Sequence, residues 1–393
     1  MIASKGSSNS KENSSEFFFK IPFLGSESDL ILAVQLISKA DWLQLPSTAR
    51  AEITLARSLI NLNQTRSSLP PIQTEKAIAW AQDKAGFGFA DAQSDGIREA
   101  LLAKVSILTG GPGTGKTTIL RALVSILRAK KAKVLLAAPT GRAARRMAES
   151  CSYFAQTVHR LLKFDPSQGG FTVNEQNPLI CDFIIMDEAS MLDLRLAAAL
   201  VRSIPPQSHL LLVGDADQLP SVGSGNVLKD LIVSKLFKVT RLAVTFRQAE
   251  DSGIVGLAHG ILEGKTSPPL PLDHPSGLNP QHDVHFIRAN SPEECVSHIT
   301  LLLKEILPQK FSIDPNNNVQ VLAPLHRGIA GIGNLNDQIR DSINPHGATH
   351  SMGFNLFREG DRVIQTRTNY DKDVFNGDTR IIDSVDSING KID

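Results

Sequence analysis

Residues Gly110 to Thr117 read GGPGTGKT, a spacing of glycines, lysine and threonine suited to holding phosphate. Gly111, Gly113 and Gly115 let backbone N–H groups converge on anionic oxygens with no Cβ in the way. Lys116 can reach the outer phosphates of a triphosphate, and the Thr117 hydroxyl can bind Mg2+. A helix starting there adds its positive dipole end. The candidate cradle comprises Gly111, Pro112, Gly113, Thr114, Gly115, Lys116, Thr117 and Thr118.

Three later stretches supply groups such a cradle needs. FIIMDEAS ends an apolar run in Asp187 and Glu188. One carboxylate can hold the metal while the other takes a proton from water. In LLLVGDADQLPSVGSG, Gln218 is the candidate sensor, an amide able to hold both phosphate and attacking water; an Asx-rich turn is the competing reading. VTFRQ carries Arg247, whose guanidinium can neutralise charge developing in a transition state. Candidate catalytic residues are thus Lys116, Glu188, Gln218 and Arg247, with Thr117 and Asp187 for Mg2+.

These residues must be positioned by strands and crossover helices. KVSILTG, KVLLAAPT, DFIIMDEAS, HLLLVGDADQ and VQVLAPL are short apolar runs, as expected of strands covered on both faces. Between them, Leu120, Leu123, Val124 and Leu127 fall on one helical face. The pattern predicts a doubly wound α/β domain. Upstream, residues 1–16 read as a disordered tail. Residues 17–80 form a helical segment of short helices broken at Pro46 and SSLPP. A second α/β segment begins near 241, with strand candidates VHFIRA, VQVLAPLHRG and DRVIQTR around the Pro-rich SPPLPLDHPSGLNP. Past VFNGD the pattern turns to β alternation, and Asn389-Gly390 signals a hairpin turn.

Composition excludes little. With 41% hydrophobic and 21% charged residues the chain is globular in type, and a net charge of +1 leaves nucleic acid open. No run approaches the ~20 apolar residues of a membrane span. Cys151, Cys181 and Cys295 lie far apart and read as buried free thiols in a reducing cytoplasm.

Taken in order, GFADAQSDGIREAL, ILTGGPGTGKTT, LLAAPTGRAARRM, TVHRLL, IIMDEASMLD, LLVGDADQLPSVGSGNVLKDL, TFRQAEDSGIV and VLAPLHRGIAGIGNLN resemble the RecD/TraA type of superfamily 1 DNA helicase. The match runs from about residue 72 to 385 and is closest to the RecD-like branch. It implies an α/β P-loop NTPase: a RecA-like domain over 81–240 and an incomplete second RecA-like domain over 241–368, with the start of an SH3-like insert at 369–393. It implies ATP and Mg2+ as cofactors, with Gln93 contacting adenine. It implies single-stranded DNA and duplex junctions as partners, gripped by Thr140, Gly141, Arg142 and the nearby His159. A strand-separating hairpin over 164–179 would offer Phe164 or Phe171 for stacking; a surface hairpin with no DNA role is the alternative. Movement 5′ to 3′ enters through the resemblance alone, and any protein partner in recombination or repair is left open. Family members continue through a later DNA-gripping motif not present here, so the chain is expected to bind nucleotide with little or no unwinding. A non-translocating nucleotide- and DNA-binding relic, or a P-loop ATPase unrelated to DNA, are the alternatives.

Overall fold

The computed structural model describes residues 37–39, 42–165, 167, 169–242, 252–265, 269–352, 355–366, 372, 374, 377–386 and 391–392. The chain divides into two units, Met1–Phe246 and Arg247–Asp393.

The first unit is built on a six-stranded sheet. Its strands are β1 (Val105–Gly110), β2 (Val134–Ala138), β3 (Ala155–Thr157), β4 (Phe183–Met186), β5 (His209–Gly214) and β6 (Lys238–Leu242). They lie in the order β6-β1-β5-β4-β2-β3, and every adjacent pair is parallel. Successive residues of a strand point to opposite faces, so each apolar run feeds two cores. Ile184, Leu210 and Leu212 join one core, whereas Phe183, Ile185, Leu211 and Val213 join the other. A sheet wet on one face would need polar alternation; these strands are apolar throughout because both faces are covered.

Helices α1 (Pro46–Gln64), α2 (Thr74–Ala85), α3 (Asp91–Leu102), α4 (Lys116–Ala129), α5 (Gly141–Cys151), α6 (Leu194–Arg202) and α7 (Val227–Ser234) supply those layers. α1, α6 and α7 bury their apolar stripes in the first core, and α2 to α5 bury theirs in the second. The predicted stripe of α4 is buried in full: Leu120, Leu123, Val124 and Leu127. Where short helices are expected after Pro46, the structure has one 19-residue helix with Pro46 in its first turn. Proline is tolerated there because that N–H has no intrahelical partner. The Leu55, Leu59 and Leu62 stripe then carries the helix onto the sheet.

At the edge of the sheet where its strands begin, His209 opens β5 with its ring stacked on Phe183, centroids 5.5 Å apart. Its Nδ1 lies 2.9 Å from the Ala103 carbonyl and its Nε2 lies 2.6 Å from the Ser67 hydroxyl. Burial, then the nearby Lys104 ammonium, push the imidazole pKa down to about 4. The unfolded chain therefore takes up a proton more readily, and stability falls as pH drops from about 6.5 towards 4. A shift from 6.5 to about 4 makes that loss on the order of 3 kcal/mol. Denaturant midpoints measured across this range should show it, and His209→Gln should flatten the profile. An unchanged profile would remove His209 as the cause.

In the second unit, Gly253–Leu262, Pro292–Leu301 and Ile332–Ile343 are helical. Pro271–Leu272 pairs in parallel with Phe286–Ile287, within the predicted VHFIRA strand. The predicted VQVLAPL strand does not form. Residues 319–325 pair with no strand among the described residues, and Leu322 is 87% exposed. A strand needs a neighbour to take up its N–H and C=O groups, and apolar sequence does not provide one. Past VFNGD the expected β alternation forms antiparallel pairs, Thr379–Ile381 with Arg362–Ile364 of the DRVIQTR candidate and Val385–Asp386 with Lys391–Ile392; upstream of VFNGD, Thr349–Met352 also pairs with Asn355–Arg358, a hairpin the sequence reading did not include. The pair of Val385–Asp386 with Lys391–Ile392 flanks the predicted Asn389-Gly390 turn, which itself lies outside the described residues. Cys151 and Cys181 are buried free thiols as expected, while Cys295 is only partly buried.

Candidate functional site

β1 runs into the glycine-rich loop and α4 leaves it, the strand–loop–helix context a phosphate cradle requires. Gly113 and Gly115 have φ of 75° and 85°, a conformation that favours glycine. At Gly110 a Cβ would stand 2.9 Å from the Leu242 carbonyl oxygen and 2.8 Å from Thr114 Oγ1. Thr114 donates its hydroxyl to the Gly111 carbonyl at 2.9 Å, fixing the loop from inside. Lys116 donates to the same carbonyl at 2.8 Å and to that of Gly110. These neutral carbonyls are weaker partners than phosphate oxygens, so the ammonium is free to exchange them for an anion.

Burial lowers the Lys116 pKa, and Asp215, Asp187 and Glu188 oppose that shift, in that order. Three carboxylates from two strand ends therefore act on one ammonium. Asp187 extends β4 by donating its N–H to the Ala137 carbonyl at 2.9 Å. Burial pushes its carboxyl above the usual range; the Glu188 N–H, 2.9 Å from Oδ1, works against this, as do Lys116 and Arg146. A divalent cation would favour the ionised form further. Glu188 itself sits at φ 51°, ψ 41°, left-handed for a residue with a Cβ. Such backbone costs on the order of 1 kcal/mol and marks positions whose geometry matters more than their comfort.

Asp215 escaped the sequence reading, which took only Gln218 from its stretch. It is buried, its carboxylate accepts the Asp217 N–H at 3.0 Å, and its carbonyl accepts the Gln218 N–H at 3.3 Å. The Ala216 N–H donates to Thr109 Oγ1 at 3.2 Å, tying this turn to the strand below the cradle. An acid at the end of a buried run was the available signal, shared with Asp187. Gln218 is exposed at the turn's end. Arg247 lies outside the described residues.

Gln93, only 3% exposed, is the third residue of α3, which packs on α4, β1 and β6. Gly96 permits that approach, since a Cβ there would meet Leu108 at 3.2 Å. The Gln93 Oε1 accepts the Ala90 N–H at 3.0 Å, whereas its buried Nε2 has no partner among the described residues. A buried amide donor left open beside a phosphate cradle suits a ring nitrogen of a base. The glycine cradle, the ammonium, the acid pair and this open donor together fit a nucleotide with a divalent cation.

The remaining candidates lie along the same end of the sheet. Thr140 caps α5, its Oγ1 accepting the Ala143 N–H at 3.2 Å; Gly141 is buried and Arg142 exposed. Arg145 pairs with Glu149 at 3.1 Å on the exposed helix face. Phe164 and Phe171 face each other across a two-rung hairpin, Phe164–Asp165 with Gly170–Phe171. Their centroids are 5.3 Å apart, and the His159 ring lies 5.9 Å and 5.7 Å from them. Burial lowers the His159 pKa, so the ring adds an aromatic face more than a charge. Pro166 lies outside the described residues. Among the described residues no helix is long and apolar enough to cross a membrane.

A parallel sheet with a phosphate cradle, and an acid pair at the strand ends beside it, define a P-loop NTPase. Family models agree: residues 93–224 match an AAA domain, and residues 335–393 match the SH3 domain of ATP-dependent RecD-like DNA helicases. That second match starts well before residue 369, where the sequence reading placed the insert. The chain is 32% identical over 352 residues to the ATP-dependent RecD2 DNA helicase of Deinococcus radiodurans, covering 89% of this chain and 46% of that protein. It is 30% identical over 325 residues to the RecBCD enzyme subunit RecD of Mycolicibacterium smegmatis, covering 76% and 58%. Within the P-loop NTPases, then, the chain belongs to the RecD-like group of superfamily 1. It spans about half the length of these curated relatives. A solved Bacteroides sp Pif1 structure with ADP-AlF4 aligns at 16% identity over 77% of this chain and 73% of its own, at a TM-score of 0.35, too loose to place residues.

Proposed function

We infer that the chain is the ATP-binding part of a RecD-like motor that couples ATP hydrolysis to movement along single-stranded DNA. The observation carrying this is the convergence of Asp187, Glu188 and Asp215 on Lys116 at the mouth of the glycine loop. The loop amides from Gly111 to Thr118, other than that of Pro112, which has no N–H, and the α4 N-terminus hold the phosphates. Lys116 neutralises the outer ones. Thr117 and Asp187 hold Mg2+, which when bound offsets phosphate charge. Glu188 takes the proton of the attacking water, Gln218 senses the outermost phosphate, and Arg247 adds a countercharge. Gln93 recognises adenine through its open Nε2.

On the DNA side, Thr140, Gly141 and Arg142 hold backbone phosphates, while His159, Phe164 and Phe171 offer stacked rings to bases at a duplex junction. Phosphates position the strand without reading its sequence. The polarity is 5′ to 3′ and the setting a cytoplasmic one of repair or recombination; both rest on the resemblance to RecD-like proteins. The ATPase rate should rise severalfold when single-stranded DNA is added, and a rate indifferent to DNA would remove the motor. The double change Phe164→Ala with Phe171→Ala should weaken single-strand affinity about tenfold by fluorescence anisotropy. Wild-type affinity in that variant would take the hairpin out of the DNA path.

A further inference from the structure

Two loops leave the sheet at neighbouring strand ends, because β4 and β5 are paired. The turn after β4 carries Glu188 and continues through a short 3-10 turn at Ala189–Met191. It ends at Asp193, which caps α6, its Oδ1 accepting the Leu196 N–H at 2.8 Å. The loop after β5 runs from Asp215 to Gly225 and carries Gln218. Glycines at both ends bring this second loop against the first. Gly214 closes β5, and a Cβ there would stand 3.2 Å from the Ala189 nitrogen and 3.1 Å from the Ser190 nitrogen.

The far end is closer still. A Cβ on Gly223 would stand 2.6 Å from the Asp193 Cβ and 2.8 Å from its Oδ2, and one on Gly225 would stand 3.0 Å from the Leu194 Cβ. The Leu194 N–H donates to the Ser224 carbonyl at 2.9 Å in the same contact. The φ of Gly223 lies outside the left-handed range, so space alone bars a side chain there. Gln218 rides on the span between the two ends. Leu219 and Val222 are exposed, so neither ties that span to a core. The Ser221 hydroxyl instead ties it to the glycine end, 3.0 Å from the Gly223 carbonyl and 3.2 Å from that of Gly225. The turn at Asp215 and the contact at Gly223 are therefore the anchors of Gln218.

We propose that the close packing of Gly223 on Asp193 is a clamp that holds the Gln218 amide in register with the Glu188 carboxylate, which makes Gly223 a positioning residue for hydrolysis. The proposal rests on the roles inferred above for Glu188 and Gln218 and deepens them. A water held by two groups at once attacks only when both are in place, and a misplacement of about 1 Å costs up to about a hundredfold in rate. Gly223 touches no reacting atom and lies apart from the loop that holds the phosphates.

The test is single-turnover hydrolysis beside equilibrium Mg-ATP binding, both in the full chain. Gly223→Ala should hydrolyse about tenfold more slowly at unchanged ATP affinity. Val222→Ala, which trims an exposed side chain of the same loop, should match the wild-type chain in both. Asp193→Gly should stay within about twofold of the wild-type rate, since glycine is accepted at a helix N-cap. Combined with Gly223→Ala, it makes room for the new methyl group and should restore the rate. Wild-type turnover in Gly223→Ala overturns the proposal, and so does a parallel loss of ATP affinity or a slow rate that the double variant does not recover. Val222→Ala or Asp193→Gly as slow as Gly223→Ala overturns it too. If Glu188→Gln turns over normally, or the wild-type chain hydrolyses no ATP, the hydrolytic roles themselves fail and the clamp with them. If Glu188→Gln is inactive while Gly223→Ala is normal, the clamp alone fails.

Discussion

Glu188→Gln should bind Mg-ATP as tightly as the wild-type chain while hydrolysing it at least about a hundredfold more slowly. Glutamine keeps the size and the hydrogen-bonding reach of glutamate but cannot take a proton from water. The backbone at 188 is held in its left-handed turn by the Asp187 carboxylate, which accepts the 188 N–H, and by the short helix that follows. Those constraints do not depend on the side-chain charge, so the substitution isolates the chemical step. Single-turnover hydrolysis beside equilibrium binding separates the two effects. Normal turnover in Glu188→Gln would transfer the proton-accepting role to another group, and Asp215 would be the first to examine, as the strongest acidic influence on Lys116.

Lys116→Ala should act on binding instead, weakening ATP by about a hundredfold. The lysine contributes charge-assisted hydrogen bonds, each of which is worth roughly 1.5–3 kcal/mol when made to an anion. Its removal also leaves Asp187, Glu188 and Asp215 facing the triphosphate without the ammonium on which all three act. Like charges then repel the ligand the loop amides attract. Isothermal titration would measure the change. A Lys116→Ala chain with wild-type ATP affinity would mean that the nucleotide binds elsewhere.

The parts of this site that were legible in the sequence are those encoded within a few residues. The glycine spacing dictates its own loop, and Asp187-Glu188 directly follows the strand that delivers it. Asp215 was not legible because its importance depends on β5 lying beside β1. That neighbour relation follows from sheet order, which is a property of how helices cover both faces. The same dependence undid the strand predicted at 319–325: its apolar residues were real, but no neighbouring strand lies beside them among the described residues. In contrast, His159, Phe164 and Phe171 were each named separately, and the cross-strand register brings their rings together. The long α1 was masked by reading Pro46 as a breaker, although proline in the first turn starts helices as readily as it ends them.

The most direct measurement is equilibrium binding of radiolabelled ATP to the Glu188→Gln chain, where slow turnover keeps the ligand intact. One nucleotide per chain, bound more tightly with Mg2+ than without it and released by adding Lys116→Ala or Asp187→Ala, is the predicted result. Saturable binding that persists in both added variants, or that ignores Mg2+, would show that lysine and acid pair do not share a ligand.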